Sequence, residues 1–508
     1  MAKIVKQYTK FIFPFNFDKN LLRPSEVVIK NKKGVKQNVF ERFSQPAESL
    51  RSGLEDLLSE DGGSAKIADL YKLNVNVRRE FNLPPKKGEP LDFNCRQAGA
   101  ESKKVSITDI KLYLFETAVG FLELECEYKT EELDEYLDLN YFICEAKSDK
   151  NKFICHEKVW NAETKQNSFS DVEFTVKELI QKLFSSFEGD AIDFSYDKVK
   201  PIIYSHILTD SCPDNVNDLL KHLNKNYKNS YKFDDKSGSV STLHPFENSY
   251  WTASLNGVTN LSYLTTDSLT NEFFESNFYT KTKDTYYFLF LNILHQRYAV
   301  MRIMGEMGQL DRLENNYQVM KKQLRQARIY EAEAINLKFR GFFKCPSTIE
   351  HVNNYYDTLY SAFQVGSFYD NFSSDIKNLQ NICSKYVERI KDREEKFKKL
   401  KAAKTEIFVS IFGTIVAEVT LFDSSWSLIE KVIGRSLSFF SPAIIILFAT
   451  MLSPIITIVS NVKKQLSIIK DLESQILEQE EDNLVEDDKE RRKGARLLEK
   501  LKRKKKHN

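Results

Sequence analysis

Residues 107–126 read ITDIKLYLFETAVGFLELEC, and this stretch decides the fold of the N-terminal half of the chain. Polar and apolar side chains alternate over 107–115 and again over 119–126, which is the period-2 pattern of β-strands. The short segment 116–118 between them indicates a tight connection. The stretch therefore predicts an antiparallel hairpin.

Further strand and helix patterns surround this hairpin and indicate a mixed α/β domain over residues 1–285, which we expect to be cytoplasmic. Four more segments are predicted strands: 10–17, 141–144, 201–208 and 250–255. Three segments are predicted helices: 46–58, 175–186 and 216–228.

Composition excludes several classes of protein. The chain has 508 residues, a net charge of only +2 and seven scattered cysteines, so neither a nucleic-acid partner nor a zinc or redox motif is indicated. No phosphate loop, GxGxxG or HExxH motif occurs, and the histidines are dispersed. Cys155 and His156 are adjacent, which suits no common metal site. We expect a protein that is not an enzyme and has no catalytic residues.

The segment 286–404 is predicted to be a long helical stalk. Apolar residues recur at three- and four-residue spacing over 286–343, and Pro346 ends that pattern. A second helical stretch starts near Ser347, a candidate N-cap with Glu350 placed to complete a capping box. It runs on towards residue 412. An alternative is several shorter helices with bends at Gly366 or at residues 373–374.

Two apolar segments near the C-terminus predict a transmembrane hairpin over 405–461. Residues 405–422 read TEIFVSIFGTIVAEVTLF, and residues 437–461 read LSFFSPAIIILFATMLSPIITIVSN without a charged side chain. At 1.5 Å per residue the first spans about 27 Å, close to the thickness of the hydrocarbon core. Buried core helices are the alternative. The predicted fold class is thus an α+β membrane protein.

Flanking charge predicts the orientation of this hairpin. Lysine and arginine residues cluster before 405 and after 461, whereas the connection 423–436 is nearly balanced. The positive-inside rule then places both termini in the cytoplasm of a multi-pass protein of the inner (plasma) membrane, with the lipid bilayer as partner. The remaining residues, 462–508, form a charged tail. It could bind anionic lipid, bind an acidic stretch of a neighbouring subunit, or stay solvated.

This order of parts resembles the CorA-type divalent-cation channel superfamily. Two stretches add to the likeness: YLFETAVGFL at 113–122 and NILHQRY at 292–298. The Gly-Met-Asn tripeptide with which the transport members of that family select hydrated magnesium is absent. Residues 420–426 read TLFDSSW in its place. The resemblance therefore implies the scaffold and leaves magnesium selectivity in doubt.

A narrower group of CorA-like proteins, associated with type III CRISPR systems, is similar in lacking that filter. The resemblance implies an antiviral effector opened by a nucleotide second messenger made from S-adenosylmethionine and ATP. It also implies a homopentamer with an ion-conducting pore. The alternatives are a divalent-cation transporter and a non-conducting membrane anchor for a cytoplasmic interaction domain.

The first predicted span offers candidate pore-lining residues on one helix face, because their spacing is three or four. These are Lys404, Ile407, Ile411, Thr414 and Glu418. A ring of Glu418 carboxylates would concentrate cations at the outer mouth, and the isoleucines would form a hydrophobic constriction. Alternatively, Glu418 sits at the interface or pairs with Lys431 or Arg435.

Overall fold

The structure is a computed structural model that describes residues 2–433 apart from short gaps, together with scattered positions between 452 and 474. The gaps are 31–35, 46–48, 52–53, 60–65, 96–101, 146–150, 162–165, 188–190, 195–199, 233–240, 308–316 and 342.

The strands, numbered in chain order, fall almost entirely before residue 264. They are β1 Ile4–Phe17, β2 Val28–Lys30, β3 Lys36–Asn38, β4 Phe40–Arg42, β5 Ala68–Leu73, β6 Leu91–Asn94, β7 Lys103–Phe115, β8 Val119–Tyr128, β9 Lys152–Asn161, β10 Gln166–Phe174, β11 Ile192–Asp193, β12 Ile202–Thr209, β13 Ser241–Phe246, β14 Ser249–Ser254 and β15 Gly257–Tyr263.

Helices are interspersed among the strands and dominate after residue 264. They are α1 Leu133–Cys144, α2 Val176–Phe184, α3 Val216–Lys225, α4 Ser268–Glu272, α5 Tyr279–Lys283, α6 Thr285–Met307, α7 Tyr317–Gly341, α8 Glu350–Ala362 and α9 Val365–Ile433. Short 3-10 turns occupy Pro24–Glu26, Glu55–Leu58 and Val75–Phe81, and a π-helical turn joins α4 to α5 at Phe273–Phe278.

One 13-stranded sheet organises the N-terminal half, with the order β10-β9-β6-β7-β8-β1-β12-β15-β14-β13. Strand β11 pairs with β1, and β4 and β5 extend from β7. Every pairing in this sheet is antiparallel except β12 with β15. The long central strands β7, β8 and β1 are buried along most of their length, so the sheet is covered on both faces at its centre.

The structure confirms the hairpin predicted from residues 107–126, which forms β7 and β8. The predicted strands at 10–17, 201–208 and 250–255 correspond to β1, β12 and β14. The predicted helices at 175–186 and 216–228 correspond to α2 and α3. Of the predicted helix at 46–58, the structure describes a 3-10 turn at Glu55–Leu58, and residues 46–48 and 52–53 lie outside the described part.

Two local predictions are wrong. The strand predicted at 141–144 is the last turn of α1, because the helical spacing of buried Tyr136, Asn140 and Ile143 continues into it. Ser347 is not the N-cap of the following helix, since α8 begins at Glu350. The Ser347 hydroxyl instead accepts a hydrogen bond from the Ile349 amide at 3.1 Å and donates one to the Ser49 carbonyl at 2.8 Å.

Contacts divide the chain into two compact units. The first consists of Met1–Glu306 and Glu331–Ser373 and holds the sheet; the second consists of Met307–Tyr330 and Ser374–Asn508. In the second unit, α9 buries Ile376, Leu379 and Cys383 at helical spacing. The first part of the stalk predicted at 286–404, residues 286–343, is described as α6 and α7, with residues 308–316 between them outside the described part.

Helix α9 runs without a break from Val365 to Ile433, so the predicted connection 423–436 is helical as far as residue 433. The predicted unbroken helix from Ser347 is wrong, because Phe363 and Gln364, the latter with a left-handed φ of 54°, separate α8 from α9. This break lies two residues before Gly366 and confirms the alternative of shorter helices there, whereas residues 373–374 lie within α9 without a bend. The second predicted span, 437–461, lies outside the described residues except for Leu452, Ile456, Val459 and Ser460.

No helix in the described part of the chain is both long enough and apolar enough to cross a membrane. This finding contradicts the predicted transmembrane hairpin at 405–461, and with it the α+β membrane fold class, the multi-pass inner-membrane location and the description as a membrane ion channel. The apolar run is only a short part of a 69-residue helix, and Glu406 and Glu418 interrupt it. The correct fold class is a mixed α/β protein with a large sheet.

Candidate functional site

The turn between β7 and β8 is held in one conformation by its backbone. The Glu116 amide donates to the Ile67 carbonyl at 2.9 Å, and the Ala118 amide donates to the Phe115 carbonyl at 2.9 Å. Ala118 adopts a left-handed φ of 61°, and its carbonyl accepts from the Phe17 amide at 3.1 Å. The backbone that carries Glu116 and Thr117 is therefore held by β7, by β1 and by the residue that precedes β5.

Gly120 follows this turn because any larger residue would clash with a neighbouring side chain at this position. A Cβ atom at this position would lie 2.2 Å from the ring of Phe15, which packs directly over the glycine on the neighbouring strand β1. The glycine of the ETAVG sequence thus serves close packing at the point where β8 leaves the turn.

His295 on α6 joins this turn to the helical part of the first unit. Its ring stacks on Phe115 with centroids 4.1 Å apart, and its Nε2 lies 2.9 Å from the Thr117 hydroxyl. Only 3% of the residue is exposed, and burial lowers the pKa of His295 to about 3, so the ring is neutral. Its Nδ1 has no hydrogen-bond partner within the described residues.

The same stretch of α6 holds the C-terminal end of α7. The Asn292 amide donates to the Gly341 carbonyl at 3.0 Å, and the Gln296 amide donates to the same oxygen. A Cβ at Gly341 would come within 3.0 Å of the Gln296 side chain. Arg297 donates to the Phe363 carbonyl at 2.6 Å. Asn292 and Gln296, one helical turn apart on α6, therefore hold the last turn of α7.

Three adjoining cavities open around the β7–β8 turn, and together we call them the sheet-end cleft. Their volumes are about 410, 300 and 450 Å³. Lys19 lines all three, Glu116 lines the first and second, and Glu333 lines the second and third. His295 and Arg340 line the second cavity. All of these residues belong to the first unit.

Most charged side chains of the cleft are already paired. Arg340 lies 2.5 Å from Glu116, and Arg302 lies 2.8 Å from Glu333. Lys19 is exposed and forms no ion pair with any residue that the structure describes. The cleft therefore offers one unpaired cation at the place where its three parts meet.

A second cluster of charged side chains is buried in the first unit, and its role is structural. The Lys10 ammonium is 3.3 Å from Glu123 and 3.7 Å from Glu125, and Lys283 is 2.9 Å from Glu125. Burial alone would raise the pKa of Glu125, but Lys10 and Lys283 outweigh burial and lower it. Glu123 also accepts hydrogen bonds from Tyr113 and Tyr287. This cluster opens into none of the three cavities of the cleft.

The residues predicted to line a pore lie on α9 in the second unit, and none of them is among the residues that line the sheet-end cleft. Lys404 is exposed, and Ile407 and Ile411 are half-buried. The side chains of Thr414 and Glu418 lie outside the described part. The role of these five residues stays a prediction.

The cleft residues were not predicted from the sequence, although two stretches that form it were singled out. Residues 113–122 supply Glu116 and Thr117, and residues 292–298 supply His295. Their meeting depends on contacts between segments about 180 residues apart, which no local pattern encodes. Lys19 and Arg340 carry no sequence signal of their own.

Cys155 and His156 lie on β9, where His156 bridges Asp92 and Asp171.

Within the described part of the chain, no group of three or more histidine, cysteine, aspartate or glutamate side chains is arranged to hold a metal ion. No family model, curated protein or solved structure matches the chain. The CorA-like resemblance, the homopentamer, the lack of enzymatic activity and the nucleotide ligand therefore stay predictions.

Proposed function

We propose that this protein binds a small anionic, nucleotide-like ligand in the sheet-end cleft. The observation that carries the proposal is the placement of Lys19, an exposed cation without an ionic partner among the described residues, at the junction of three adjoining cavities. The class of ligand follows from the CorA-like resemblance of residues 113–122 and 292–298, because the CorA-like group that shares the missing filter responds to a nucleotide. Both stretches border the cleft.

The size of the cleft supports this proposal. Ligand pockets typically enclose about 300–1,000 Å³, and each of the three cavities is close to or within that range. A nucleotide placed with its phosphate at Lys19 would extend into one cavity and leave its neighbours open to solvent.

The polar groups of the second cavity also suit such a ligand. Lys19 and Arg340 offer positive charge for a phosphate, and Asn336 and Thr117 offer neutral hydrogen-bonding groups. His295 adds a neutral, buried ring whose Nδ1 lacks a partner in the described part. A buried polar atom without a hydrogen-bond partner, such as this Nδ1, is energetically unfavourable. It is therefore a reason to expect a ligand or a water molecule there.

Isothermal titration calorimetry on the full chain tests the proposal, with ADP and inorganic pyrophosphate as probes at low ionic strength. Lys19→Ala should weaken ADP binding at least about tenfold, since a hydrogen bond to a charged group contributes about 1.5–3 kcal/mol. His295→Phe should also weaken ADP binding, because phenylalanine keeps the stacking on Phe115 and removes both ring nitrogens.

Lys86→Ala is the matched control, because Lys86 is an exposed lysine of the same unit that lines none of the three cavities. The Lys86→Ala variant should bind ADP with the same affinity as the wild-type protein. If neither probe binds the wild-type protein, or if Lys19→Ala and Lys86→Ala bind equally well, the proposal is wrong.

A further inference from the structure

We propose that Glu116 is a built-in competitor of the anionic ligand: its carboxylate holds Arg340 in the ligand-free protein, and the ligand binds by taking its place. The inference rests on the proposed function of the sheet-end cleft. It adds a mechanism by which molecules of low charge are prevented from binding there. The two side chains line the same cavity of about 300 Å³.

Glu116 reaches Arg340 from a turn whose backbone is hydrogen-bonded to two neighbouring segments. The turn is fixed by backbone hydrogen bonds of Glu116 to Ile67 and of Phe17 to Ala118. Arg340 is equally well placed, because the carbonyl of the next residue, Gly341, is held by two side-chain amides of α6. Exchange therefore requires only rotation of the two side chains, with both backbones unchanged.

The other acidic side chain of the cavity is not available for this role. Glu333 lies 2.8 Å from Arg302, whose side chain is only 12% exposed and also contacts Glu306. Moving Glu333 would take one of two carboxylates from the largely buried Arg302, which is more unfavourable than breaking a pair that is exposed on both sides. Glu116 is thus the carboxylate that a ligand displaces most easily.

The Glu116–Arg340 pair is half-exposed, with 58% and 48% of the two side chains accessible. Such pairs contribute little to stability, about 0–1 kcal/mol. A phosphate carries more charge than a carboxylate and accepts two parallel hydrogen bonds from a guanidinium. A phosphate held by Lys19 as well as Arg340 therefore outcompetes Glu116, and the freed carboxylate returns to solvent at the turn.

The test measures ADP and inorganic pyrophosphate binding to the full chain by calorimetry, comparing wild type with Glu116→Gln. Removing the competing charge should tighten binding about three- to tenfold, which is the size expected when a surface ion pair and one nearby like charge are lost. Arg340→Gln should weaken binding in both the wild-type and the Glu116→Gln background.

Glu131→Gln is the matched control, since Glu131 forms an exposed ion pair with Lys3 at 2.9 Å and lines none of the three cavities of the cleft. It should leave the affinity within twofold of wild type. If neither probe binds the wild type, the proposed function and this inference fail together, whatever Glu116→Gln does.

If the wild type binds ADP and Glu116→Gln binds it no more tightly, competition is refuted while the proposed function stands. An equal gain in Glu131→Gln refutes it as well, because the effect would then be one of overall charge. If neither wild type nor Glu116→Gln binds either probe, both the inference and the proposed function fail.

Discussion

Replacing Lys10 with methionine should destabilise the first unit more than any exposed lysine replacement. Lys10 lies on the central strand β1 with 1% of its side chain exposed, and its ammonium lies 3.6 Å above the ring of Tyr287. Methionine fills nearly the same space without the charge. Glu123, which is fully buried, would then lose its closest cationic partner.

The magnitude follows from what remains around the two carboxylates. Removing one partner of a buried ion pair costs about 3–5 kcal/mol. Here Glu123 would keep Lys111 at 3.5 Å and its two tyrosine hydroxyls, and Glu125 would keep Lys283 at 2.9 Å. We therefore expect the lower end of that range, about 3 kcal/mol.

Urea unfolding monitored by tryptophan fluorescence measures this loss, because Trp251 is buried in the same unit. Lys3→Met is the control, since Lys3 forms an exposed ion pair with Glu131 and its replacement should produce no measurable change. Adding Glu123→Gln to Lys10→Met should restore part of the stability by removing the uncompensated charge. If Lys10→Met unfolds at the same urea concentration as Lys3→Met, the buried network does not stabilise the fold.

Two further perturbations test other contacts. Gly120→Ala places a methyl group 2.2 Å from the ring of Phe15 and should lower the free energy of unfolding in urea by about 1–3 kcal/mol; an unchanged midpoint would contradict this packing. The carboxylates of Asp92 and Asp171, each 2.6 Å from a ring nitrogen, raise the pKa of His156 above its ordinary value. The stabilisation is fully present below pH about 6.5 and is lost as pH rises through the folded-state pKa. His156→Gln should therefore lower the melting temperature at pH 5.5 and leave it unchanged at pH 9; equal shifts at both would contradict the pairing.

Local sequence patterns predicted the strands and helices in which buried side chains recur at the spacing typical of that one strand or helix. The hairpin β7–β8 alternates in sequence because Lys111, Glu123 and Glu125 belong to the buried charge network, whereas their neighbours are apolar. Helix α2 carries a complete capping box between Thr175 and Glu178. The order of strands in the sheet could not be read in this way. It pairs β1 with β8 and β12, more than 100 residues away in sequence.

The membrane prediction failed because the apolar residues at 405–422 were interpreted as a membrane span at the end of the long helix, although Glu406 and Glu418 interrupt them. The residues at 405–422 continue a helix that begins at Val365 and is highly charged before them. Phe408, Val409 and Phe412 are exposed on this helix, so apolar side chains here were correctly recognised as unusual. The inference from an apolar segment to a bilayer was the step that the structure contradicts.

The polar residues of α6 show why the candidate site was harder to predict than the fold. A helix that is buried on most sides is expected to be apolar, yet Asn292, His295 and Gln296 are each at most 3% exposed. Each buried polar group is unfavourable unless it is paired, and the pairs come from the turn after β7 and the end of α7. The sequence showed these residues as exceptions to an apolar pattern, but their partners exist only in the folded protein.

Helix α6 also links the buried charge network to the cleft. Tyr287 donates to Glu123 in the network, and His295 contacts Thr117 at the cleft. The two residues are eight positions apart, which is about 12 Å along a helix. Because the network fixes the first turn of α6 against β1 and β8, it also fixes the depth at which His295 reaches the β7–β8 turn. A network variant such as Lys10→Met should therefore weaken ligand binding in the cleft as well as stability, although none of its atoms lines the cleft.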